Sequence, residues 1–444
     1  MEEKILRQHI RANIDALFSS RGRKEFVPGK TKIQYSGPVY DEEEVKGMLE
    51  SILDGWFGVG RRTHEFERRF SDFLGVDNTI VTNSGSSANL LAMSALMSPQ
   101  FHGQLSAGDE VIVPALSFPT TFNPIIQVGL VPVVIDIELG TYNLDSTHLE
   151  EAISPRTRAI MLLHNMGTPC DMDAVMAVAR EHDLFVIEDN CDSLGAKFGG
   201  RLTGTFGLLS TVSFYVAHHM TMGEGGAVCT SDGDLAKIVL SIRDWGRACT
   251  CPVCVFSIDP NATCELRFRS RAGILPEGYD TKYLYTNIGY NLKPLEFQAA
   301  MGLVQLDRLP GFIEQRKSNF QSLHLFFQEY EDLFILPRSL PKAEPSPFAF
   351  PLTVRDTAPF TRKQLVAYYE RCNIETRLFF SGNIVRHPAY QGLHYRGIGD
   401  LANADKVMRD GFFLGVYPGI TEAMMDYVFR KTAEFVERSA GTRS

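Results

Sequence analysis

The chain has 444 residues, 44% of them hydrophobic and 22% charged, which is ordinary for a soluble globular enzyme. A formal net charge of −9 argues against nucleic acid as a partner. No segment offers the roughly 20 consecutive apolar residues that a membrane span needs, and the charged start MEEKILRQHI lacks the apolar run of a signal peptide. We therefore expect a cytoplasmic protein that binds neither nucleic acid nor a membrane.

Residues 1–40 predict an N-terminal helix followed by an extended arm. From 41 to 310, apolar runs of strand length alternate with helical patterns, which predicts a large α/β domain with a seven-stranded, mostly parallel sheet. The seven runs are NTIVTNS (78–84), EVIVPAL (110–116), LVPVVIDI (130–137), RAIMLLH (158–164), LFVIED (184–189), STVSFYV (210–216) and GAVCTS (226–231). A long helical pattern at 295–323 leads into a smaller α+β domain, which we place at 311–444.

Small and polar residues follow several of these strands. They are SGSS after the first run, SFPTT after the second, EDNCD after the fifth and AHH after the sixth. Parallel sheets bind their ligands at the carboxyl ends of the strands. Because several strand ends carry unusual residues, we expect one shared binding crevice there.

Three of these strand ends suit a phosphorylated pyridine cofactor. SGSSANLLAMSAL (84–96) begins a helix, whose free N–H groups near Gly85 and Ser86 favour a phosphate; an ordinary serine N-cap is the alternative. Asp189 ends an apolar strand and needs a partner, such as a protonated pyridine nitrogen, unless it caps the next helix. Phe118 could lie on a cofactor ring or in the core.

Together these residues resemble the DegT/DnrJ/EryC1/StrS sugar aminotransferase family, and the resemblance covers nearly the whole chain. It implies the pyridoxal-phosphate-dependent fold type I of aspartate aminotransferase. It further implies that Asp189 pairs with the pyridine nitrogen and that Phe118 stacks on the ring. The phosphate would be held by Gly85, Ser86 and Ser213.

Two further positions follow from the resemblance. GYNLKP (289–294) supplies Asn291, whose family counterpart reaches the phosphate of a neighbouring subunit, so a homodimer is implied. Asp192 stands where the family usually has glutamine or histidine near the ring hydroxyl, which is a departure from the pattern.

The larger departure concerns the lysine that family aminotransferases join to the cofactor. The family places it five residues after the serine of the SF motif, where this chain has His218, and no lysine lies between Lys197 and Lys237. An imidazole cannot form an imine, so we expect pyridoxamine phosphate to be held without a covalent bond. His218 would be the base that takes a proton from the 4′ carbon of the cofactor. The adjacent His219 is expected to pack or to form a hydrogen bond.

The same replacement is typical of the family's sugar 3-dehydratases, of which there are two kinds. The colitose-pathway kind has no metal and renews its amine from glutamate. The other kind carries a 2Fe–2S cluster and works with a separate NAD(P)H-dependent reductase. Both remove the 3-hydroxyl of a nucleotide-4-keto-6-deoxyhexose.

The cysteines favour the second kind. Of eight cysteines, four fall in a cysteine loop at 249–264, which in a large intracellular chain indicates metal before disulfides. Cys191, Cys249, Cys251 and Cys264 are separated by 57, 1 and 12 residues. They resemble the C-x57-C-x-C-x7-C pattern of the iron–sulfur CDP-4-keto-6-deoxyglucose 3-dehydratases, with an apparent insertion of five residues. We take Cys264 as the fourth ligand, with Cys254 as the alternative.

Zinc and free thiols are the other interpretations of these cysteines. The spacing of Cys251 and Cys254 suits zinc. Cys191, however, lies two residues from Asp189, or about 7 Å of extended chain, which places a cluster near the cofactor and favours redox chemistry.

IETRLFFSGNIVRHP (374–388) resembles the family segment that lines the substrate pocket. Arg377 and Arg386 are therefore candidates for contacts with the diphosphate or sugar, although surface ion pairs would explain them too. The sequence thus predicts a pyridoxamine-phosphate and 2Fe–2S dependent 3-dehydratase of 3,6-dideoxyhexose or related deoxysugar biosynthesis. The alternatives are a cluster-free dehydratase and a non-catalytic scaffold.

Overall fold

The computed structural model describes residues 2–22, 25–251, 253–259, 261–269 and 273–441. The α-helices in this part of the chain are α1 (Glu2–Ser20), α2 (Glu42–Leu53), α3 (Arg61–Leu74), α4 (Gly85–Leu96), α5 (Pro119–Gln127), α6 (Met172–Glu181), α7 (Gly233–Arg243), α8 (Glu296–Phe327), α9 (Arg362–Arg371), α10 (Ala402–Asp410) and α11 (Glu422–Gly441). The strands are β1 (Asn78–Thr82), β2 (Glu110–Pro114), β3 (Val131–Ile135), β4 (Thr157–Leu163), β5 (Phe185–Asp189), β6 (Lys197–Phe198), β7 (Arg201–Leu202), β8 (Leu209–Ser213), β9 (Gly226–Thr230), β10 (Phe334–Ile335), β11 (Ala343–Glu344), β12 (Ala349–Val354), β13 (Arg396–Ile398) and β14 (Gly411–Gly415).

The main sheet has eight strands in the order β1-β9-β8-β5-β4-β2-β3-β13. Only β9 runs antiparallel to its two neighbours, β1 and β8. The seven strands predicted from the apolar runs are all present, so the predicted fold class is confirmed. The eighth, β13, adds to the edge beside β3 and had not been predicted. Its three residues, RGI, carry no apolar pattern that could reveal a strand.

The sheet is buried on both faces, as expected of a parallel sheet between helical layers. Along β2, Val111 and Val113 pack into one hydrophobic cluster, which includes the buried side of α4. Ile112, between them, packs into a second cluster on the opposite face, which includes Val175 of α6. This alternation follows the two-residue period of a strand and fixes α4 beside the carboxyl ends of the sheet.

A second layer of structure is built from the later part of the chain. β10, β12 and β14 form a small antiparallel sheet, and their apolar side chains pack with α9 and α11 in a separate cluster. The long helix α8 contributes to both regions, because Ile313 packs beneath the large sheet and Phe327 beneath the small one. We propose that the boundary near residue 310 lies inside this shared helix. Among the described residues, none of the helices has the length and apolar character needed to cross a bilayer.

Candidate active site

A cavity of about 320 Å³ opens at the carboxyl ends of the central strands. Most of the residues singled out in the sequence converge on it. Its walls include Gly85, Ser86, Phe118, Asp189, Cys191, Asp192, Ser213, His218 and Arg377. No lysine belongs to the described residues that line this cavity.

The first wall is the turn that begins α4. Ser84 caps this helix through its Oγ, which accepts a hydrogen bond of 3.1 Å from the N–H of Ser87. A Cβ added to Gly85 would lie 2.5 Å from the Cβ of Ser213. Only glycine therefore lets β8 approach the turn so closely. The free N–H groups at this helix start and the nearby hydroxyl groups suit a phosphate.

The floor of the cavity carries Asp189 at the end of β5. This carboxylate is 2% exposed. One oxygen accepts hydrogen bonds from Asn89 Nδ2 (2.8 Å) and Thr121 Oγ1 (2.7 Å), and the other accepts one from the N–H of Cys191 (3.2 Å). The carboxylate is thereby fixed in orientation. It can serve as the anionic partner of a buried ring nitrogen.

Asn89 and Thr121 are functional residues that sequence reasoning missed. Asn89 is a buried polar residue one turn into α4, and Thr121 lies in the first turn of α5. The polar position within SSANLLAM was a signal that could have indicated Asn89. Thr121 gave no such signal, because threonine near a helix start is common.

His218 and Asp192 form the wall opposite the phosphate turn. Asp192 Oδ1 lies 3.7 Å from His218 Nδ1. In the described part of the chain neither Asp192 Oδ2 nor His218 Nδ1 has a hydrogen-bond partner, although both atoms are buried. Orphaned polar atoms at a cavity wall suit a polar ligand, since leaving them unpaired is costly. This wall therefore fits the ring and amine of a pyridoxamine cofactor.

Burial, and secondly the charge of Arg316, lower the pKa of His218 to about 3. Burial, and secondly the charge of Asp189, raise the pKa of Asp192 well above its ordinary value. The imidazole is consequently neutral near pH 7 and can accept a proton.

Arg316 was also missed by sequence reasoning. It projects from α8, is 1% exposed, and donates hydrogen bonds to the carbonyls of Phe348 (2.9 Å), His218 (2.9 Å) and Ala217 (3.3 Å). It thus fixes the backbone of the histidine turn from beneath. The second histidine, His219, places Nε2 3.0 Å from the carbonyl of Ser346, so this ring is held away from the cavity.

The two candidate substrate arginines have different surroundings. Arg377 lines the cavity, with its guanidinium carbon 4.5 Å from the ring centre of Tyr35 and an ion pair of 2.6 Å to Glu375. Arg386 lies outside the cavity and forms an ion pair of 2.8 Å with Asp405.

Asn291 lies outside the cavity of its own chain. Its backbone pairs with Asp244 on an isolated β-bridge. Its Oδ1 accepts a hydrogen bond of 2.6 Å from Lys293 Nζ. Within one chain this residue does not join the cofactor contacts.

The cysteines fall into two groups. Cys191 lines the cavity, where burial first and the charges of Asp189 and Asp192 next raise the pKa of its thiol. Cys249 Sγ lies 3.9 Å from Cys251 Sγ. Burial, followed by the nearby thiols of Cys249, Cys264 and Cys254, raises the pKa of Cys251.

The predicted cluster ligands are therefore only partly assembled. Both candidates for the fourth ligand lie near Cys251, within the cysteine loop. Across the described ranges, the group of three or more potential ligands with donor atoms within 4.8 Å of one another is Glu150, Glu181 and His182, and it contains no cysteine. Within one chain the four thiols do not converge on one point.

Comparisons with known proteins agree with the fold. The family model described as "DegT/DnrJ/EryC1/StrS aminotransferase family" matches residues 38–432. A dTDP-4-dehydro-2,6-dideoxy-D-glucose 3-dehydratase of Saccharopolyspora spinosa is 47% identical over 416 residues, which are 94% of this chain and 89% of the relative. The lipopolysaccharide biosynthesis protein RfbH of Salmonella typhimurium is 45% identical over 414 residues, 93% of each chain.

Among solved structures, an E. coli GDP-4-keto-6-deoxy-D-mannose-3-dehydratase with bound hydrated PLP superimposes with a TM-score of 0.80 at 29% identity. The match covers 90% of this chain and all of the other.

Proposed function

Because the chain belongs to the DegT/DnrJ/EryC1/StrS aminotransferase family, we propose that it is a nucleotide-4-keto-6-deoxyhexose 3-dehydratase that uses pyridoxamine phosphate. Its relatives include a nucleotide-sugar 3-dehydratase of 47% identity. The observation that carries the proposal is His218, which lines the cavity where an aminotransferase of this family needs lysine. A lyase reaction without a covalently held cofactor is consistent with that replacement.

The residues present fit the cofactor. Gly85, Ser86 and Ser213 would hold its phosphate, and Asp189 would hold its ring nitrogen protonated. Phe118, which is 47% exposed at the cavity mouth, would cover the ring. When bound, pyridoxamine phosphate supplies an amine that condenses with the ketone of the sugar and a ring that withdraws electrons from the adjacent carbon.

His218 has the properties of the base for this site. Its imidazole is neutral because burial and Arg316 lower its pKa to about 3. A neutral imidazole at the cavity wall can take the proton from the 4′ carbon of the cofactor and pass it to the departing 3-hydroxyl. The carboxyl group of Asp192 lies 3.7 Å from Nδ1 of this imidazole.

We further propose that the enzyme binds a 2Fe–2S cluster through Cys191 and the cysteine loop, and that a separate NAD(P)H-dependent reductase serves it. Support comes from the grouping of the loop thiols around Cys251 and from Cys191 in the cofactor cavity. Such a cluster supplies electrons one at a time. The product would belong to 3,6-dideoxyhexose or related deoxysugar biosynthesis.

The cluster-free dehydratase is the second candidate, since one chain alone does not bring the four thiols together. Zinc bound by Cys251 and Cys254 would be compatible with it. In that case the loop would stabilise the fold and take no part in electron transfer.

Anaerobic purification followed by reconstitution with iron and sulfide tests the proposal. We expect a coloured protein that gives a reduced-cluster EPR signal after dithionite and that binds pyridoxamine phosphate. A colourless protein with bound zinc would favour the cluster-free enzyme. Failure to bind pyridoxamine phosphate would favour a non-catalytic scaffold.

A further inference from the structure

We propose that the cluster is shared between two copies of the chain: Cys191 of one copy and the cysteine loop of the other hold it together. This inference rests on the proposed 2Fe–2S function and specifies how that site is assembled. Its basis is the separation of the thiols within one chain and the position of the loop on the surface.

Cys191 lies on the cofactor side of the sheet. Its N–H donates to Asp189, and it shares the cavity wall with Gly85 and His218. Asp189 and Asp192, from the same segment of chain, and Thr211 of β8 lie near its thiol.

The cysteine loop lies against the other end of the edge strand. Thr250 and Val253 line a surface cleft together with residues at the start of β1, from Asp77 to Ile80. β1 is five residues long, or about 16 Å at 3.3 Å per residue, and the cofactor cavity begins beyond its far end, at Gly85.

Two contacts hold the loop in this place. His64 Nε2 lies 2.9 Å from Ser257 Oγ, and Arg61 Nε donates to the carbonyl of Ile258 at 3.2 Å. Both partners belong to α3, so the loop is anchored to a helix that does not line the cavity. Among the described residues that line the cavity, no other cysteine accompanies Cys191.

The surface next to the loop is unusually apolar and exposed. The N–H of Ala248 donates to the carbonyl of Leu284, which ties the loop to a strip at 283–295. Large apolar side chains of this strip and of the loop's entrance point to solvent: Trp245 (41%), Tyr283 (57%), Tyr285 (51%), Ile288 (97%), Tyr290 (38%) and Leu295 (44%). Several large exposed apolar side chains within one short segment are typical of an interface.

The cavity mouth is apolar and exposed as well, at Phe118 (47%), Tyr215 (43%) and Leu378 (51%). The strip lies beside it, because the N–H of Asn83, next to the phosphate turn, donates to the carbonyl of Leu292. A two-fold dimer pairs the same surface on both copies. In the proposed dimer, the strip of each copy packs against the cavity mouth of the other. Each cysteine loop then lies at the cavity of the partner copy, and the dimer holds two clusters.

We infer that the partner at this surface is a second copy of the chain, because its cysteine loop offers the further thiol ligands that Cys191 needs. The loop carries four thiols grouped around Cys251, and a cluster with Cys191 as one ligand needs three of them. Either Cys254 or Cys264 is then in excess.

Complementation between two variants tests the sharing. C191S and C249S/C251S are produced with different affinity tags, mixed by co-expression, and the mixed dimer is isolated through both tags. If the ligands are shared, one site of the mixed dimer combines the C191S substitution of one chain with the C249S/C251S loop of the other. The second site combines the unchanged Cys191 with the unchanged loop. The mixed dimer should then hold one cluster, half the iron and sulfide of the wild type, with a reduced-cluster EPR signal of half intensity.

If each cluster lies within one chain, both chains of the mixed dimer are defective and it holds none, which overturns the proposal. Full iron in the C191S homodimer also overturns it, because Cys191 would then not be a ligand. Pyridoxamine phosphate binding and dimer mass confirm that each variant folds. A wild type without iron after reconstitution refutes the 2Fe–2S function itself, which distinguishes that failure from a failure of sharing.

Discussion

The imidazole of His218 gains its chemical character from residues distant in the sequence. Arg316 binds the carbonyl of His218 from α8, and Phe348 lies 5.3 Å from its ring. Burial by these neighbours, together with the guanidinium charge, keeps the ring neutral. At this scale the proposed base, His218, is a neutral imidazole that lines the same cavity as the hydrogen-bonded carboxylate of Asp189.

His218→Lys should exchange one chemistry for another. A lysine there can form a Schiff base with pyridoxal phosphate, so we expect a new absorbance of that adduct. Loss of the imidazole should slow dehydration by about 10²- to 10⁴-fold. His218→Asn is the matched control, because it removes the base without supplying an amine. Dehydration by His218→Lys at the wild-type rate would show that His218 is not the base.

The pH dependence of the reaction should report the neutral state of His218. A base with a pKa of about 3 remains unprotonated as the pH falls from 8 to 5.5, so kcat/KM should show no acid limb from this group. Burial is the larger cause of the low pKa of His218 and persists in Arg316→Met, but this variant removes the positive neighbour, so the pKa should rise part of the way towards its ordinary value. Activity should then decline on the acidic side, whereas Arg316→Lys should retain the wild-type profile.

Kinetics between pH 5 and 8 make that comparison, with thermal unfolding as the check on folding. Identical profiles for the methionine and lysine variants would rule out the electrostatic role of Arg316. A pure packing role would reduce stability in both variants without introducing an acid limb.

At the scale of elements, the turn between β1 and α4 requires glycine at position 85, because a side chain there would collide with Ser213. Gly85 allows Ser213 of β8 to lie close to the start of α4. In the proposed site, the helix N-terminus would offer its N–H groups to the cofactor phosphate and Ser213 would offer its hydroxyl.

Gly85→Ala should weaken the binding of pyridoxamine phosphate by at least about tenfold, or 1.4 kcal/mol. The added Cβ would lie 2.5 Å from the Cβ of Ser213 and force the two elements apart. Alanine is otherwise favoured in helices. Gly233→Ala, at the first position of α7 with nothing within 4 Å, is the control and should bind normally. Equilibrium dialysis measures both; equal affinities would contradict the account of the turn.

Much of this architecture could be predicted from the sequence, because buried parallel strands are continuous apolar runs. The seven runs and the helix at 295–323 correspond to observed elements, the helix extending to Phe327. β13 could not be predicted, since it pairs with β3 through residues that are 263 positions apart, such as Arg396 and Val133. Strand-end residues such as Asp189 could also be predicted, because each directly follows an apolar run in the sequence. Arg316 was not, because only the folded chain brings α8 beneath His218.

At the scale of the whole molecule, one chain leaves its cavity mouth and the strip at 283–295 exposed. Both surfaces are apolar, and Asn291, expected to serve a neighbouring subunit, lies in the strip outside the cavity of its own chain. A homodimer would cover these surfaces and bring that residue to a second cavity.

Ile288→Asp should shift the protein from dimer to monomer. Ile288 is 97% exposed in one chain, and a buried unpaired charge at an interface is strongly unfavourable. Light scattering after size-exclusion chromatography should give a mass near 49.6 kDa, in contrast to twice that value for the wild type. Leu325→Asp, at an exposed leucine of α8, is the control and should remain dimeric. A dimeric Ile288→Asp variant would place the interface elsewhere.

Oxygen exchange tests most directly whether this site removes the sugar 3-hydroxyl with His218 as base. Without a reductant the elimination should be reversible, so water labelled with ¹⁸O should enter at the 3-hydroxyl of the substrate. The protein loaded with pyridoxamine phosphate is incubated with the CDP, dTDP and GDP forms of 4-keto-6-deoxyhexose in turn, then reduced with borohydride and analysed by mass spectrometry. The ketone oxygen exchanges without enzyme, so we predict a second label for the wild type and only the first for His218→Asn. A single label with all three nucleotides, or a second label in the asparagine variant at the wild-type rate, would contradict the claim.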